Sequence, residues 1–250
     1  MQIFKDRIEA AKQLASRVQQ WLNNKNTEIR RQKQESHNDD NDIIVLAIPR
    51  GGVAIGDVIS NILDAKLDIV VSRKIGAPDN PELAIGAVMQ DGSYFLNQDI
   101  VNVLNVPKSY IIEQANVQKK EIERRLQIFR GENSDYYYDY NNFEGKTVVL
   151  VDDGIATGAT IISAANWLKT KQNCCKTLII AVPVAPPPSQ LSLQSSNEDI
   201  VSKLNQIADK VIILYRPEQF YAVGQFYEHF EQVSDAEVRE IMIRHGHGPL

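Results

Sequence analysis

One stretch constrains this chain more than any other: Val148-Val149-Leu150-Val151-Asp152-Asp153-Gly154-Ile155-Ala156-Thr157-Gly158-Ala159-Thr160. A short β-branched run ends in two carboxylates, crosses a loop of glycine and threonine, and enters a helical segment. Such a run reads as a buried strand, and a strand feeding a helix belongs to a parallel sheet covered on both faces. In an open parallel sheet, ligands bind beyond the carboxyl ends of the strands, which is where this loop must lie. Gly154 and Gly158 allow a tight turn and a close approach of backbone to ligand. Free N–H groups at the helix start, with the hydroxyls of Thr157 and Thr160, suit a phosphate. Asp152 and Asp153 would repel that phosphate, so they must serve another part of the ligand. Two vicinal hydroxyls of a ribose fit, because a carboxylate can accept a hydrogen bond from each. A phosphorylated sugar explains acids and loop together.

Other readings account for less. No Gly-Lys-Ser or Gly-Lys-Thr follows at P-loop spacing, and the dinucleotide G-x-G-x-x-G pattern is missing. A strand ending in Asp-Asp could be a magnesium site of the response-regulator type, which leaves the Gly/Thr loop unused. An ordinary strand-to-helix turn with acidic capping leaves most of the residue choices unexplained.

The rest of the chain repeats the grammar of strand, loop and helix. Asp6 to Leu22 places Ile8, Ala11, Ala15, Val18 and Leu22 on one helical stripe. Residues 24–42 are polar, without apolar periodicity, and read as a solvated, partly disordered connection. Strands are expected at Ile43–Ile48, Asp68–Ser72, Val148–Val151, Thr177–Val182 and Val211–Leu214. Helices are expected at 53–63, 108–130, 158–171 and 198–208, with Gly131 stopping the second of these. Ala84–Met89 and Ser93–Leu96 flank Asp91-Gly92, a hairpin signal. The prediction is one α/β domain over 1–250, a mostly parallel sheet flanked by helices, with inserted and terminal segments forming a hood.

Val148–Thr160 resembles the phosphoribosyl pyrophosphate (PRPP) motif of type I phosphoribosyltransferases, in which an apolar strand is followed by two acids and a phosphate loop. The resemblance implies that Asp152 and Asp153 take the ribose hydroxyls. Gly154, Ile155, Ala156, Thr157, Gly158, Ala159 and Thr160 then surround the 5′-phosphate. Pro49-Arg50-Gly51-Gly52 follows the first core strand and resembles the family's pyrophosphate loop, in which an unusual peptide geometry is common. Arg50 would add a cation there, and Gly51 and Gly52 would admit the ligand. Arg73 and Lys74 are read as ending the second strand on the same edge, where the family places basic residues that neutralise pyrophosphate. With the turn-rich stretch Ile75–Ala87, the chain resembles an uncharacterised branch of predicted phosphoribosyltransferases, from Phe4 to about Ile243. The implied catalytic set is Asp152, Asp153, Arg50 and Lys74, with Mg²⁺ held mainly by PRPP oxygens and no dedicated protein metal site.

The expected activity is that of a pentosyltransferase: transfer of the phosphoribosyl group of PRPP to a nitrogenous acceptor such as a nucleobase, with release of pyrophosphate. The alternative is a PRPP-binding regulator on the same scaffold. Phe220 and Tyr221, in the aromatic run Tyr215–Phe230, are candidates to receive the acceptor; the rival reading is plain hood packing. Tyr136, Tyr137, Tyr138 and Tyr140 read as a loop. Lys119, Lys120, Arg124, Arg125 and Arg130 read as a solvated helix face, and His245 and His247 as part of a frayed end. Cys174 and Cys175 are adjacent and read as helix-end packing residues, not a redox pair or a metal site. Twenty-seven Lys+Arg against 32 Asp+Glu, a formal charge of −5, argue against a nucleic-acid partner. The longest apolar runs are strand-sized, and the first residues carry no secretory signature, so no membrane partner is expected. A cytoplasmic homodimer is the expectation.

Overall fold

The computed structural model describes residues 3–32, 42–131, 143–170, 175–188 and 199–248. Its elements follow in the order α1 (Arg7–Gln32), β1 (Ile43–Ala47), α2 (Gly51–Leu63), β2 (Lys66–Ile69), β3 (Ser72–Ala77), β4 (Asn80–Met89), β5 (Tyr94–Leu96), α3 (Gln98–Val103), α4 (Lys108–Arg130), β6 (Thr147–Val151), α5 (Ala159–Thr170), β7 (Thr177–Val184), α6 (Ile200–Ile207), β8 (Lys210–Tyr215) and α7 (Asp235–Arg244). A 3-10 turn, Val223–Phe226, precedes α7.

The β-branched runs form a five-stranded sheet in the order β2-β1-β6-β7-β8, every neighbouring pair parallel. Alternation along each strand divides the core between the two faces of the sheet. Val45, Ala47, Val149, Val151, Ile179 and Ala181 belong to a core shared with α1, α2, α4 and α7. Ile44, Leu46, Val148, Leu150, Leu178 and Ile180 belong to the other, shared with α5 and α6. The strands are apolar on both faces for this reason. The expected α/β class, a mostly parallel sheet flanked by helices, is the observed one.

The structure departs from the sequence reading in five places. Arg130, read as part of a solvated helix face, is 4% exposed at the end of α4, its guanidinium donating to Asp68 Oδ1 at 2.6 Å and to the Ile69 carbonyl at 3.0 Å. The first helix does not stop at Leu22 but runs to Gln32, because Lys, Glu, Arg and Gln are good helix formers even without an apolar stripe. Lys25 anchors this extension, its ammonium donating to Thr177 Oγ1 at 2.9 Å and lying 4.9 Å from the Trp21 ring centroid.

Arg73 and Lys74 do not end a core strand. β2 stops at Ile69, and both residues lie inside β3, in a separate antiparallel sheet ordered β3-β4-β5. The chain leaves the parallel sheet at Val70 and Val71 and reverses at Pro78-Asp79, so the turn formers there make a hairpin arm. The Asp91-Gly92 hairpin joins β4 to β5 as expected, Gly92 having φ +83°.

Helix α3 is an addition, started by Asn97, whose side chain accepts from the Ile100 N–H. The end of the described chain is docked, not frayed. Ser234 and Glu237 form a capping box that starts α7. His245 Nε2 lies 2.8 Å from Asp57 Oδ1, Arg244 donates to Asp57 Oδ2 at 2.6 Å, and His247 Nε2 lies 2.7 Å from the Leu67 carbonyl. Cys175 is half-buried against the α5–α6 core, while Cys174 and Tyr136–Tyr140 lie outside the described residues. Among the described residues, no helix is long and apolar enough to cross a membrane.

Candidate active site

Strands β1 and β6 are neighbours with Ala47 beside Val151, yet their following connections lead to opposite sides of the sheet. Such a switch point opens a crevice at the carboxyl edge of a parallel sheet. The two loops the sequence singles out leave from this point side by side, tied at their base by the Ile48 N–H donating to the Val151 carbonyl at 3.0 Å.

The Pro49–Arg50 peptide is cis, and α2 begins directly after it. Gly51 and Gly52 then lie against the acid pair with no room for a side chain. A Cβ on Gly51 would fall on the Asp153 carboxylate, and one on Gly52 would fall 3.0 Å from Asp152 Cα. Close approach, not turn geometry, is what demands glycine at both positions.

Asp152 Oδ1 accepts from the Asp153 N–H at 2.8 Å, and Asp153 Oδ2 accepts from Arg7 Nε at 2.9 Å. The two carboxyls also lie within hydrogen-bond reach of each other. Burial, and then the charge of Asp153, push the Asp152 carboxyl well above the ordinary carboxylate range. Burial also pushes Asp153 up, against the opposing guanidinium of Arg7. Two carboxyls held close in a dry crevice suit sugar hydroxyls, which donate hydrogen bonds without bringing a negative charge.

Beyond the acids the loop is anchored, then open. The Ile155 N–H donates to the Val184 carbonyl at 2.8 Å, and Gly154 sits beneath Val223 and Val184. Gly158, at φ +77°, turns the chain into α5 and abuts Ile200. Ala156, Thr157, Ala159 and Thr160 are exposed, and neither threonine hydroxyl makes a hydrogen bond among the described residues. A phosphate placed here would meet first-turn N–H groups and two hydroxyls.

Arg50, Gly51, Gly52 and the segment from Asp152 to Thr160 therefore share one edge. Arg50 reaches Asp235, at the start of α7, at 3.4 Å with half-exposed side chains. Arg73 and Lys74 sit on the hairpin arm. Arg73 Nε donates to Gln118 at 3.2 Å, and the ammonium of Lys74 pairs with Glu82 Oε2 at 2.8 Å on an exposed surface. Phe220 packs 5.3 Å from the Phe226 ring, and Tyr221 is 86% exposed. No group of three or more His, Cys, Asp or Glu side chains that could hold a metal occurs among the described residues.

Two residues at the acid pair carry no sequence signal. Arg7 stands in the first turn of a helix, where a basic residue normally faces solvent. Tyr227 is one aromatic among many in the hood, yet its hydroxyl donates to the Asp153 carbonyl at 2.6 Å.

Comparison with known proteins gives consistent relatives. The sequence matches the family model described as "Phosphoribosyl transferase domain" over residues 6–214. It is 35% identical over 238 residues to "Putative phosphoribosyl transferase Rv0571c" of Mycobacterium tuberculosis. That match covers 95% of this chain and 46% of the relative, so the chain spans about half the length of the curated relatives it matches. A ribose-phosphate pyrophosphokinase of Methanobrevibacter smithii is 28% identical over 122 residues, covering 49% of this chain and 36% of that protein. Among solved structures, TT1426 from Thermus thermophilus superposes with a TM-score of 0.66 at 30% identity, covering 97% of this chain and 98% of that one.

Proposed function

We propose that this chain, which belongs to the phosphoribosyl transferase family, takes the magnesium complex of PRPP and moves its phosphoribosyl group to a nitrogen nucleophile. The observation that carries this reading is the switch-point crevice. Two half-buried acids, held against each other and, through Asp153, against Arg7, stand between a glycine loop on one side and an open Gly/Thr loop on the other.

In this reading the carboxyl oxygens of Asp152 and Asp153 accept the ribose hydroxyls, and Ile155 to Thr160 take the 5′-phosphate. The pyrophosphate group lies toward Arg50, Gly51 and Gly52, away from the acids. The bond from the anomeric carbon to pyrophosphate breaks, and its electron pair leaves with the pyrophosphate. The lone pair of the acceptor nitrogen forms the new bond, and the proton displaced from that nitrogen passes to solvent. Positive charge develops on the ribose while negative charge grows on the leaving group. Rate acceleration comes from groups already aimed at those charges and from holding the two reactants in line. Arg50 serves the leaving group from the loop. Lys74 serves it from the hairpin arm, once its exposed pair with Glu82 is exchanged for the ligand. Magnesium brought in with PRPP would offset the charge of the diphosphate. The acid pair does not suit a metal, because a guanidinium already faces it.

Thermal unfolding with magnesium and PRPP tests the reading. A ligand at ~100 times its dissociation constant adds ~2.7 kcal/mol to stability, so a clear rise in Tm is expected. A folded protein whose Tm does not respond to millimolar PRPP overturns it.

A further inference from the structure

The segment before the sheet reaches the acid pair by a defined route. Ile3 and Phe4 N–H groups both donate to the Phe226 carbonyl at 2.9 Å, and the Glu228 and His229 N–H groups return to Phe4 and Lys5 carbonyls at 2.9 and 2.8 Å. This strand-like pairing with the hood fixes where α1 begins. Arg7, in the first turn of α1, is brought against Asp153.

Three groups then fix the Arg7 side chain, which is 12% exposed. Its Nε donates to Asp153 Oδ2 at 2.9 Å, and one terminal nitrogen donates to the Glu231 carbonyl at 2.9 Å. The guanidinium carbon lies 3.8 Å from the centroid of the Phe230 ring, which itself stacks on Tyr227 at 4.9 Å. A cation in the first turn of a helix opposes the helix dipole, so stability of α1 does not explain it. Attachment to the hood needs only Glu231 and Phe230. The bond to Asp153 is the part of the arrangement that neither purpose requires.

We propose that Arg7 is a positioning residue of the ribose subsite: it fixes the Asp153 carboxylate through Oδ2 and leaves Oδ1 to accept a sugar hydroxyl. The inference rests on the phosphosugar reading given above. It also has an electrostatic side. The titratable groups facing Asp153 are Asp152 on its own loop, Arg7 from α1 and Tyr227 from the hood, while the α2 loop presents only Gly51. Burial and nearby acid hold the Tyr227 phenol neutral, so Arg7 is the cation that compensates the pair among the described residues. Without it, the two acids retain a proton to higher pH and lose acceptor strength.

The test compares Arg7→Gln and Arg7→Lys with the parent, titrating magnesium–PRPP and, separately, magnesium–pyrophosphate, which has no ribose. Arg7→Gln is expected to weaken PRPP by about tenfold or more, the loss typical of a hydrogen bond to a charged group, while pyrophosphate changes by less than about twofold. Arg7→Lys, which keeps the charge, should recover part of the loss. The parent-to-variant ratio for PRPP should shrink as pH rises, ligand ionisation cancelling in that ratio. In an Asp153→Asn background the Arg7→Gln effect should vanish, since Arg7 acts through Asp153. A variant that loses both ligands equally, or an undiminished effect in the Asp153→Asn background, assigns Arg7 to general structure and overturns the inference. A parent that binds PRPP while Arg7→Gln binds it equally overturns the role of Arg7 alone. A parent that binds no PRPP overturns the phosphosugar reading and this inference with it.

Discussion

The hydroxyl of Tyr227 donates a 2.6 Å hydrogen bond to the backbone carbonyl of Asp153, linking the hood to the residue that the sheet edge presents. Burial, then the charge of Asp153, raise the Tyr227 phenol far above its ordinary value, so it remains a donor at every working pH. The same ring stacks on Phe230 and lies 5.5 Å from Phe4. Hood, first segment and acid loop are therefore one packed unit.

Tyr227→Phe keeps that packing and removes the donor. It is expected to destabilise the protein by about 1–3 kcal/mol, because a partly buried carbonyl loses its partner. Denaturant unfolding of parent and variant measures the difference; equal midpoints would show that the bond carries no stability.

Asp152→Asn separates stability from binding. The raised pKa means that the folded state holds a proton more tightly than the unfolded chain. Stability from this group is therefore present at acid pH and lost as pH rises from the ordinary carboxyl value through the raised one. The variant removes this loss while its amide oxygen can still accept from the Asp153 N–H. Its Tm advantage over the parent should grow as pH rises from the ordinary carboxyl value through the raised one, while its affinity for PRPP falls. An advantage that is flat with pH would mean that Asp152 is ionised as easily folded as unfolded.

Gly51→Ala tests the close approach of the two loops. A methyl group there would occupy the space of Asp153 Oδ2, forcing the carboxylate or the Pro49–Gly52 loop aside. PRPP affinity is expected to drop by more than about tenfold, since both proposed subsites move together. Gly158→Ala acts differently: φ +77° is strained for alanine, and about 1–2 kcal/mol of stability is expected to be lost. Calorimetric melting and ligand titration of the two variants distinguish a site effect from a backbone effect.

Thr157→Val and Thr160→Val each remove a hydroxyl from the open loop at nearly constant shape. Each is expected to weaken ribose 5-phosphate by about tenfold, the value of a hydrogen bond to a charged group, with little change in Tm because neither hydroxyl is bonded within the described residues. Unchanged ribose 5-phosphate binding in both would place the phosphate elsewhere.

The parallel sheet and its two loops are legible in the sequence because burial on both faces forces continuous apolar runs, and because anion loops need glycine beside hydroxyls. The hairpin arm is not. Gly76, Pro81 and Gly86 interrupt the period-two alternation of β3 and β4, and register shifts lie at Ile75, Gly76 and Ala77. Residues 23–32 mislead for a related reason, since a polar helix carries no stripe to betray it. Arg7 and Tyr227 are invisible as site residues because their roles depend on contacts spanning 146 and 74 positions in the chain. Local pattern cannot report such distances. The docked terminus is hidden likewise, as His245 and Arg244 meet Asp57 only in three dimensions.

The most direct test of transferase chemistry is single-turnover release of pyrophosphate from magnesium–PRPP, across a panel of nucleobases and amines, by the parent and by Lys74→Ala at saturating PRPP. The parent is expected to release pyrophosphate with at least one acceptor. Lys74→Ala should lose about 10²-fold in rate while its PRPP affinity changes far less, because the leaving group gains charge only as the bond breaks. Equal rates in the two proteins would remove Lys74 from the mechanism. A parent that binds PRPP tightly and releases pyrophosphate with no acceptor would contradict the transferase and point to a PRPP-binding regulator.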